Sequence, residues 1–170
     1  MTQNAVKRVR TLFLSDIHLG TKACQADLLL DFLKHIEAET IYLVGDIIDG
    51  WRLKAGWYWP QAHNDVIQKL LRRVRKGCRI VYIPGNHDEF LRDYVGQNFG
   101  GVELHEEIVH ETADGKRLLI LHGDKFDVVV NLIFIGVRVT ILSPTGSTSI
   151  PINRLTIVLF PDDCVPTTTN

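Results

Sequence analysis

The stretch Ile41–Trp51, which reads IYLVGDIIDGW, decides how the fold and the chemistry of this chain are interpreted. The five residues before Asp46 are typical of a buried strand, and a second carboxylate, Asp49, follows three positions later. A carboxylate is costly to bury beside apolar side chains unless a cation or hydrogen-bond donors compensate it. We therefore expect a buried strand that ends at a functional site.

The composition is that of one ordinary globular domain. The chain of 170 residues is long enough for a sizeable core, and 45 % of it is hydrophobic. The formal net charge of −1 gives no overall basic field, so we expect no nucleic-acid partner. Cys24, Cys78 and Cys164 lie outside any CxxC pattern, which favours a reduced, cytoplasmic setting over a disulfide framework or a cysteine zinc site.

No segment has the pattern of a signal peptide or of a membrane span. The longest apolar run, near residues 132–142, is too short to span a bilayer and contains Arg138. We expect a soluble protein. The basic segment Lys69–Arg79 has two interpretations, which are contact with anionic headgroups at the inner membrane and a solvated helix end favoured by the helix dipole.

Four short apolar segments share one layout, in which a β-branched or leucine-rich run is bounded by Gly, Pro or polar residues. They are TLFLSD (Thr11–Asp16), IYLVGD (Ile41–Asp46), IVYIPGN (Ile80–Asn86) and LLILHGD (Leu118–Asp124). Helical spacing of apolar residues fills the two gaps between the first three segments, over residues 25–38 and 64–77, with Gly77 as the expected C-cap. This alternation predicts an α/β fold with a parallel core sheet.

The later part of the chain divides into two unlike regions. Strands are predicted around Val102–Leu104 and Ile108–Glu111, and an Asp-Gly pair marks a hairpin turn into the fourth segment. After Asn131 the chain contains no Lys, Glu, Ala, His, Trp or Tyr. We expect a domain over residues 1–130 and an atypical tail over residues 131–170. The tail is either a truncated or frame-shifted C-terminus or part of a natural short variant.

Polar side chains follow each of the four predicted strands, and functional groups gather at the carboxyl ends of strands in open α/β sheets. They are Asp16, His18, Asp46, Asn86 and His122. Each alone has an ordinary explanation, such as a capping aspartate, a left-handed turn asparagine or a core histidine. Their coincidence at four strand ends favours a metal centre, where one carboxylate can bridge two divalent cations about 3.5–4 Å apart. Mixed oxygen and nitrogen ligands suit Mn, Fe or Zn.

Four motifs, taken in order, resemble the signature of the calcineurin-like metallophosphoesterases. They are DIH (Asp16–His18), GDIID (Gly45–Asp49), GNHD (Gly85–Asp88) and HGD (His122–Asp124). The resemblance implies an αββα sandwich with two divalent metal ions, manganese being the first expectation. It also implies the ligands: Asp16 and His18 for one metal, Asn86 and His122 for the other, and Asp46 as the bridge. The family's final motif, G-H-x-H, is absent, so we expect the sandwich to be incomplete at its C-terminus.

The resemblance assigns catalytic roles as well. His87 matches the family's catalytic histidine, which donates a hydrogen bond to the substrate phosphate or a proton to the leaving group. Asp49 matches the acid that orients this histidine, a pairing that fixes the tautomer and raises the basicity of the ring. Trp51 and Arg52 are the candidate substrate-binding residues. They belong to a predicted loop, Gly50–Pro60, whose aromatic residues either contact a uracil or an acyl chain, or pack over their own core.

More narrowly, SDIHLGT, the Trp51 after GDIIDG, and HGDKFD are similar to the UDP-2,3-diacylglucosamine pyrophosphatases of lipid A synthesis and their relatives. Those enzymes release UMP and a lipid-linked sugar phosphate, which implies a nucleotide-linked lipid or another phosphorylated small molecule as the substrate. Well-known members of that group carry Arg at the position of His87. The alternative is a catalytically incomplete fragment that binds metal or nucleotide without turnover, and the number of bound metal ions distinguishes the two.

Overall fold

A computed structural model describes residues 6–126 and 156–160 of the chain. The strands are β1 (Lys7–Ser15), β2 (Ile36–Val44), β3 (Arg79–Ile83), β4 (Asn98–Phe99), β5 (Val102–Leu104), β6 (Ile108–Glu111), β7 (Arg117–Ile120) and β8 (Thr156–Phe160). The helices are α1 (Ala26–His35), α2 (Gly50–Ala55) and α3 (Gln61–Arg75), with 3₁₀ helices at Glu89–Tyr94 and Gly123–Phe126. Apart from β8, the predicted tail lies outside the described residues.

The centre of the fold is a six-stranded sheet with the order β4-β5-β3-β2-β1-β8. Strands β1, β2, β3 and β5 run parallel, whereas β4 and β8 pair antiparallel at the two edges. Ile41 of β2 lies opposite Leu12 of β1 and Ile80 of β3. The predicted parallel core is therefore confirmed. Because the strands are parallel, the carboxyl ends of β1, β2 and β3 meet at one end of the sheet.

Strand β2 shows why the central strands have unbroken apolar runs. Successive side chains of a strand point to opposite faces of the sheet. Ile41 and Leu43 belong to the core beneath the helices, whereas Tyr42 and the half-buried Val44 belong to a second core on the other face. Since both faces are covered, polar and apolar residues do not alternate along this run as they would in a half-exposed strand.

Helices α1 and α3 cover one face of the central sheet. Their buried apolar residues recur at the predicted helical spacing and are Leu29, Leu33, Val66 and Leu70. Helix α3 ends at Arg75 with Lys76 as its C-cap, one residue before the expected Gly77. Gly77 follows with φ of +93° and donates its N–H to the carbonyl of Val74 at 2.9 Å, as a glycine that ends a helix commonly does. No helix in the described part of the chain combines the length and the apolarity needed to cross a bilayer.

The boundary between α1 and β2 differs from the sequence prediction. The helical pattern continues to Ala38, but α1 ends at His35 and β2 begins at Ile36. Ile36 pairs with Lys7, and Ala38 pairs with Val9, in the parallel ladder with β1. The strand pairing thus overrides a weak local helical preference, as tertiary context commonly does.

The fourth apolar segment belongs to a second, two-stranded sheet and not to the parallel sheet. Strands β6 and β7 form the predicted antiparallel hairpin, and their Ile108 and Ile120 pack against Tyr42 and Val81. A short apolar run does not reveal which sheet it joins, which is why the sequence placed this segment in the core sheet. Helices, central sheet and second sheet supply three layers of the αββα sandwich.

Strand β8 is the only described part of the tail. Its backbone pairs antiparallel with β1, so that Leu159 lies opposite Leu12. The expectation that the sandwich is incomplete concerns residues outside the described ranges and stays a prediction.

Candidate metal centre

The loops that follow β1, β2 and β3 are joined by backbone hydrogen bonds beyond the ends of the strands. The N–H of His18 donates to the carbonyl of Asp46 at 2.8 Å, and the N–H of Asp16 donates to the carbonyl of Gly45 at 3.2 Å. Gly45 in turn donates to the carbonyl of Ile83 at 2.7 Å. These bonds fix the three loops relative to one another and bring the first three predicted ligands together.

Those three ligands, Asp16, His18 and Asp46, have a left-handed backbone, with φ of 55°, 53° and 57°. Within residues 6–126 and 156–160, no other non-glycine residue has a positive φ. This conformation is uncommon for any residue with a Cβ, and a residue held there costs on the order of 1–3 kcal/mol. Strain of this kind concentrates at functional sites, and here it coincides with the predicted metal ligands.

Two groups of ligand-type side chains share the buried carboxylate of Asp46. One consists of His18, Asp46 and His87, the other of Asp16, Asp46 and His122, and in each group one ligand atom per residue lies within 4.8 Å of the others. The sharing agrees with a bridging position for Asp46. The grouping differs from the one implied by the resemblance, because Asp16 lies with His122 while His18 lies with His87.

The space between these side chains depends on Gly45 and Gly85. A Cβ on Gly85 would lie 2.4 Å from Oδ1 of Asp46, and a Cβ on Gly45 would lie 2.0 Å from Cδ2 of His122. The Nδ1 atoms of His87 and His122 are buried, and each faces a carboxylate, that of Asp49 for His87 and that of Asp124 for His122. The space that a Cβ at either glycine would fill is lined by carboxylates and imidazoles, which fits a divalent ion of borderline hardness.

Burial raises the pKa of Asp46, although a hydrogen bond from the backbone N–H of His87 and the two neighbouring histidines, His87 and His122, oppose the increase. The Oδ1 atom of Asp46 accepts that hydrogen bond at 3.0 Å. A cation bound beside this carboxylate would favour its ionised form and offset the cost of burial. The environment of Asp46 is therefore the one expected of a metal ligand.

Asp49 contacts both histidines of the first group. Its Oδ2 atom lies 3.1 Å from Nδ1 of His87 and 3.3 Å from Nδ1 of His18, and its Oδ1 atom accepts the N–H of Arg52 at 2.9 Å. Burial favours a raised pKa, but the Arg52 hydrogen bond and the two histidines outweigh it and hold the pKa of Asp49 below its ordinary value. The expected neighbour of His87 is thus in place as a carboxylate.

Asp88 is a site residue whose part in the centre the sequence did not indicate. It is fully buried, and its carboxylate accepts hydrogen bonds from the N–H of Ile47 at 2.9 Å, the N–H of Asp46 at 3.3 Å and the N–H of Gly85. The hydroxyl of Tyr82 donates to it as well. Asp88 therefore joins the loop after β2 to the loop after β3. The only signal in the sequence is its place as the last residue of GNHD.

A second unexpected contact lies at the end of β7. The Nδ1 atom of His122 is 3.2 Å from Oδ1 of Asp124, whose other oxygen accepts a hydrogen bond from the guanidinium of Arg92. Arg92 belongs to the 3₁₀ helix that follows GNHD. The Arg92–Asp124 ion pair thus connects the loop that contains His122 to the segment that follows His87.

The remaining predicted residues lie around this cluster. Asn86 is half-buried in the loop directly before His87, and its role as a ligand stays a prediction. The segment predicted as a loop begins instead with α2, whose N-cap is Asp49, because the Asp49 carboxylate satisfies the first turn. The indole of Trp51 lies with its centroid 4.4 Å from that of the His87 ring, and Arg52 lines the cavity beside the cluster.

The sequence of this chain is similar to the sequences of known proteins. The sequence model of the calcineurin-like phosphoesterases matches residues 9–153. A UDP-2,3-diacylglucosamine hydrolase of Blochmanniella pennsylvanica is 33 % identical over 116 residues, which cover 66 % of this chain and 46 % of that protein. Proteins of the same name from Chromohalobacter salexigens and Yersinia pseudotuberculosis are each 34 % identical over 67 % of this chain, and 46 % and 48 % of their own lengths are covered.

The chain spans about half the length of the curated relatives it matches. The family match itself extends over most of the chain and includes every predicted ligand and His87, the predicted catalytic histidine. Together with the parallel sheet, the second sheet and the ligand cluster at the strand ends, the match establishes the relationship. This chain belongs to the calcineurin-like phosphoesterase family.

Proposed function

We propose that this chain carries the catalytic centre of a metal-dependent hydrolase that cleaves phosphoester or pyrophosphate bonds. The observation that carries the proposal is the buried carboxylate of Asp46, which two groups of ligand-type side chains share. The residues that would hold two divalent ions are Asp16, His18, Asp46, Asn86 and His122. Bound there, such ions lower the pKa of a water molecule and stabilise charge on phosphate oxygens. The mixed donors support manganese, iron or zinc, and we propose manganese.

His87 acts on the substrate in this proposal. With Asp49 beside Nδ1, the Nε2 atom of His87 faces the centre, 4.0 Å from Oδ2 of Asp46. A proton on Nε2 would then reach a phosphate oxygen or the oxygen of the leaving group. Asp49 is a positioning residue, because it sets the tautomer and the orientation of the ring. Trp51, whose ring lies against that of His87, is positioned to contact the substrate.

The substrate that we propose is UDP-2,3-diacylglucosamine, cleaved at its pyrophosphate in the synthesis of lipid A. The support is the name that the relatives share and the motifs that this chain has in common with them. This chain has His87 where well-known members of that group carry Arg. The proposed substrate therefore has to be tested in a direct assay. A cytoplasmic location follows from this proposal.

A second candidate function is a metal- or nucleotide-binding protein without turnover. The observation that favours it is that no histidine follows His122 anywhere in the chain, so a G-H-x-H motif is absent. In that case the centre would hold fewer than two ions. The number of bound ions, measured beside the turnover rate, separates the two functions.

We also propose that the basic end of α3 contacts an anionic membrane surface. The last turn of α3 contains Arg72, Arg73 and Arg75, and Lys76 follows as its C-cap, so four cations lie close together at this end of the helix. Sedimentation with vesicles that contain anionic lipid tests this contact. Binding that persists in neutral vesicles or at high salt would contradict it, because the attraction is electrostatic.

The decisive experiment for the hydrolase is an assay of the whole chain with a chromogenic phosphodiester and with UDP-2,3-diacylglucosamine, before and after removal of metal by EDTA. We expect both substrates to be hydrolysed with added manganese, and UMP to be released from the second. No hydrolysis of either substrate by manganese-loaded chain would overturn the proposal and favour the non-catalytic alternative.

A further inference from the structure

A groove leads outward from the metal centre between the loop after β1 and helix α2. Its inner part has a volume of about 140 Å³ and reaches His18 and His87. Its outer part has a volume of about 450 Å³. Thr21, Ala23 and Arg52 line both parts, so the two parts adjoin each other.

The charge of the groove changes along its length. The inner end contains the carboxylates of the metal centre, whereas the described residues that line the outer part include no carboxylate and two cations, Lys22 and Arg52. Neither cation forms an ion pair with any residue in the described ranges. Unpaired cations beyond a metal centre attract an anionic group of the ligand.

The residues that line the outer part can accommodate a planar group. Its walls include the small residues Ala55 and Gly56 and one aromatic ring, Tyr58, which is 37 % exposed. The Tyr58 ring lies against the buried ring of His63, with centroids 5.8 Å apart and an interplanar angle of 81°. The ring is therefore supported from within the fold, and it can stack against a nucleobase.

We propose that this groove binds the nucleoside phosphate part of the substrate, with Arg52 and Lys22 contacting phosphate and Tyr58 contacting the base. The inference rests on the proposed function, because it assigns one half of a nucleotide-linked substrate to a place beside the centre. An acyl chain is a poorer occupant, since it would cover two cations and leave them without partners.

The test measures the affinity of the manganese-loaded, full-length chain for UMP by isothermal titration calorimetry. We expect Arg52→Ala, Lys22→Ala and Tyr58→Ala each to weaken binding by about tenfold, the effect of losing one charged or stacking contact. Lys54→Ala is the matched control, because Lys54 lies on α2 with Arg52 but does not line the groove. The affinity of this variant for UMP should equal that of the parent chain.

Gly56→Leu fills the groove without disturbing the fold. A Cβ at Gly56 would meet no atom within 4 Å, and the backbone there is extended, with φ of 178°. We expect this variant to melt at the parent temperature and to lose UMP binding. UMP should also bind more tightly than uridine or ribose 5-phosphate, because it engages both the cations and the ring.

Two outcomes would overturn the inference, whatever the result of the hydrolase assay. One is a parent chain that does not bind UMP, and the other is unchanged UMP affinity in Arg52→Ala and Gly56→Leu. Failure of the hydrolase proposal is recognised separately, from manganese content and from hydrolysis of the chromogenic diester. A chain that binds UMP through this groove without hydrolysing the diester would support the groove and reject the enzyme.

Discussion

The Oδ2 atom of Asp49 lies 3.1 Å from Nδ1 of His87. The same oxygen lies 3.3 Å from Nδ1 of His18, so one buried carboxylate contacts both the predicted catalytic histidine and a predicted metal ligand. The orientation of His87 is therefore linked, through one side chain, to that of the predicted ligand His18.

Replacing His87 tests its catalytic role. His87→Ala should lower the turnover rate on the order of 10²–10⁴-fold, the usual contribution of a general acid or base. Manganese content should stay that of the parent, because His87 is not among the proposed ligands. A variant that loses an ion would instead make His87 a ligand, as its place beside His18 and Asp46 also permits.

The proposed bridging role of Asp46 predicts an unequal effect of two similar substitutions. Asp46→Asn should abolish manganese-dependent hydrolysis of a chromogenic diester more completely than Asp16→Asn, because a bridging ligand serves both ions. The two variants differ from the parent by the same chemical change, so each is the control for the other. Equal residual rates would contradict the bridge.

The hydroxyl of Tyr82 is expected to stabilise the centre through Asp88. Burial and the neighbouring Asp88 raise the pKa of Tyr82 well above its ordinary value, so its hydroxyl stays a donor. Tyr82→Phe should lower the free energy of unfolding by about 1.5–3 kcal/mol, the range for a hydrogen bond to a charged group. It should also weaken manganese binding.

The matched control for this prediction is Tyr94→Phe. Tyr94 is 49 % exposed, and the same loss of one hydroxyl should leave both quantities unchanged. Chemical denaturation and a manganese titration provide the two measurements. Equal behaviour of the two variants would show that the Tyr82 hydroxyl has no part in holding the loops together.

Gly85→Ala is predicted to obstruct the proposed metal site. The added methyl group would lie 2.4 Å from Oδ1 of Asp46 and 2.8 Å from Nδ1 of His122, closer than such atoms approach, so these side chains must move. Manganese affinity should fall sharply. Gly56→Ala is the control for metal content, since its methyl group would meet no atom within 4 Å. Parent-like metal affinity in Gly85→Ala would mean that the ligands lie elsewhere.

The sequence predicted the central sheet well because local patterns determine it. Buried strands such as Ile41–Val44 are covered on both faces, so an apolar run and its polar end are visible within a few residues. The same local information failed at the start of β2, where Ile36 and Ala38 fit a helix and a strand equally, and pairing with β1 decided the outcome.

Features of the site that depend on distant contacts could not be predicted. Asp88 follows His87 directly in the sequence, yet its carboxylate accepts hydrogen bonds from the backbone N–H groups of Asp46 and Ile47, some 40 residues earlier. A local sequence pattern does not reveal such a contact. The groove beside Arg52 likewise is lined in part by α2, a segment that the sequence predicted as a loop. The ligand types, in contrast, are visible because they stand directly at strand ends.

The most direct test of the shared centre is the number of manganese ions that one chain binds at saturation, measured by equilibrium dialysis with elemental analysis. We predict two ions per chain for the parent and a loss of both from Asp46→Asn at the same free manganese concentration. A parent that binds one ion or none, or an Asp46→Asn variant that keeps both, would contradict a dinuclear centre bridged by Asp46.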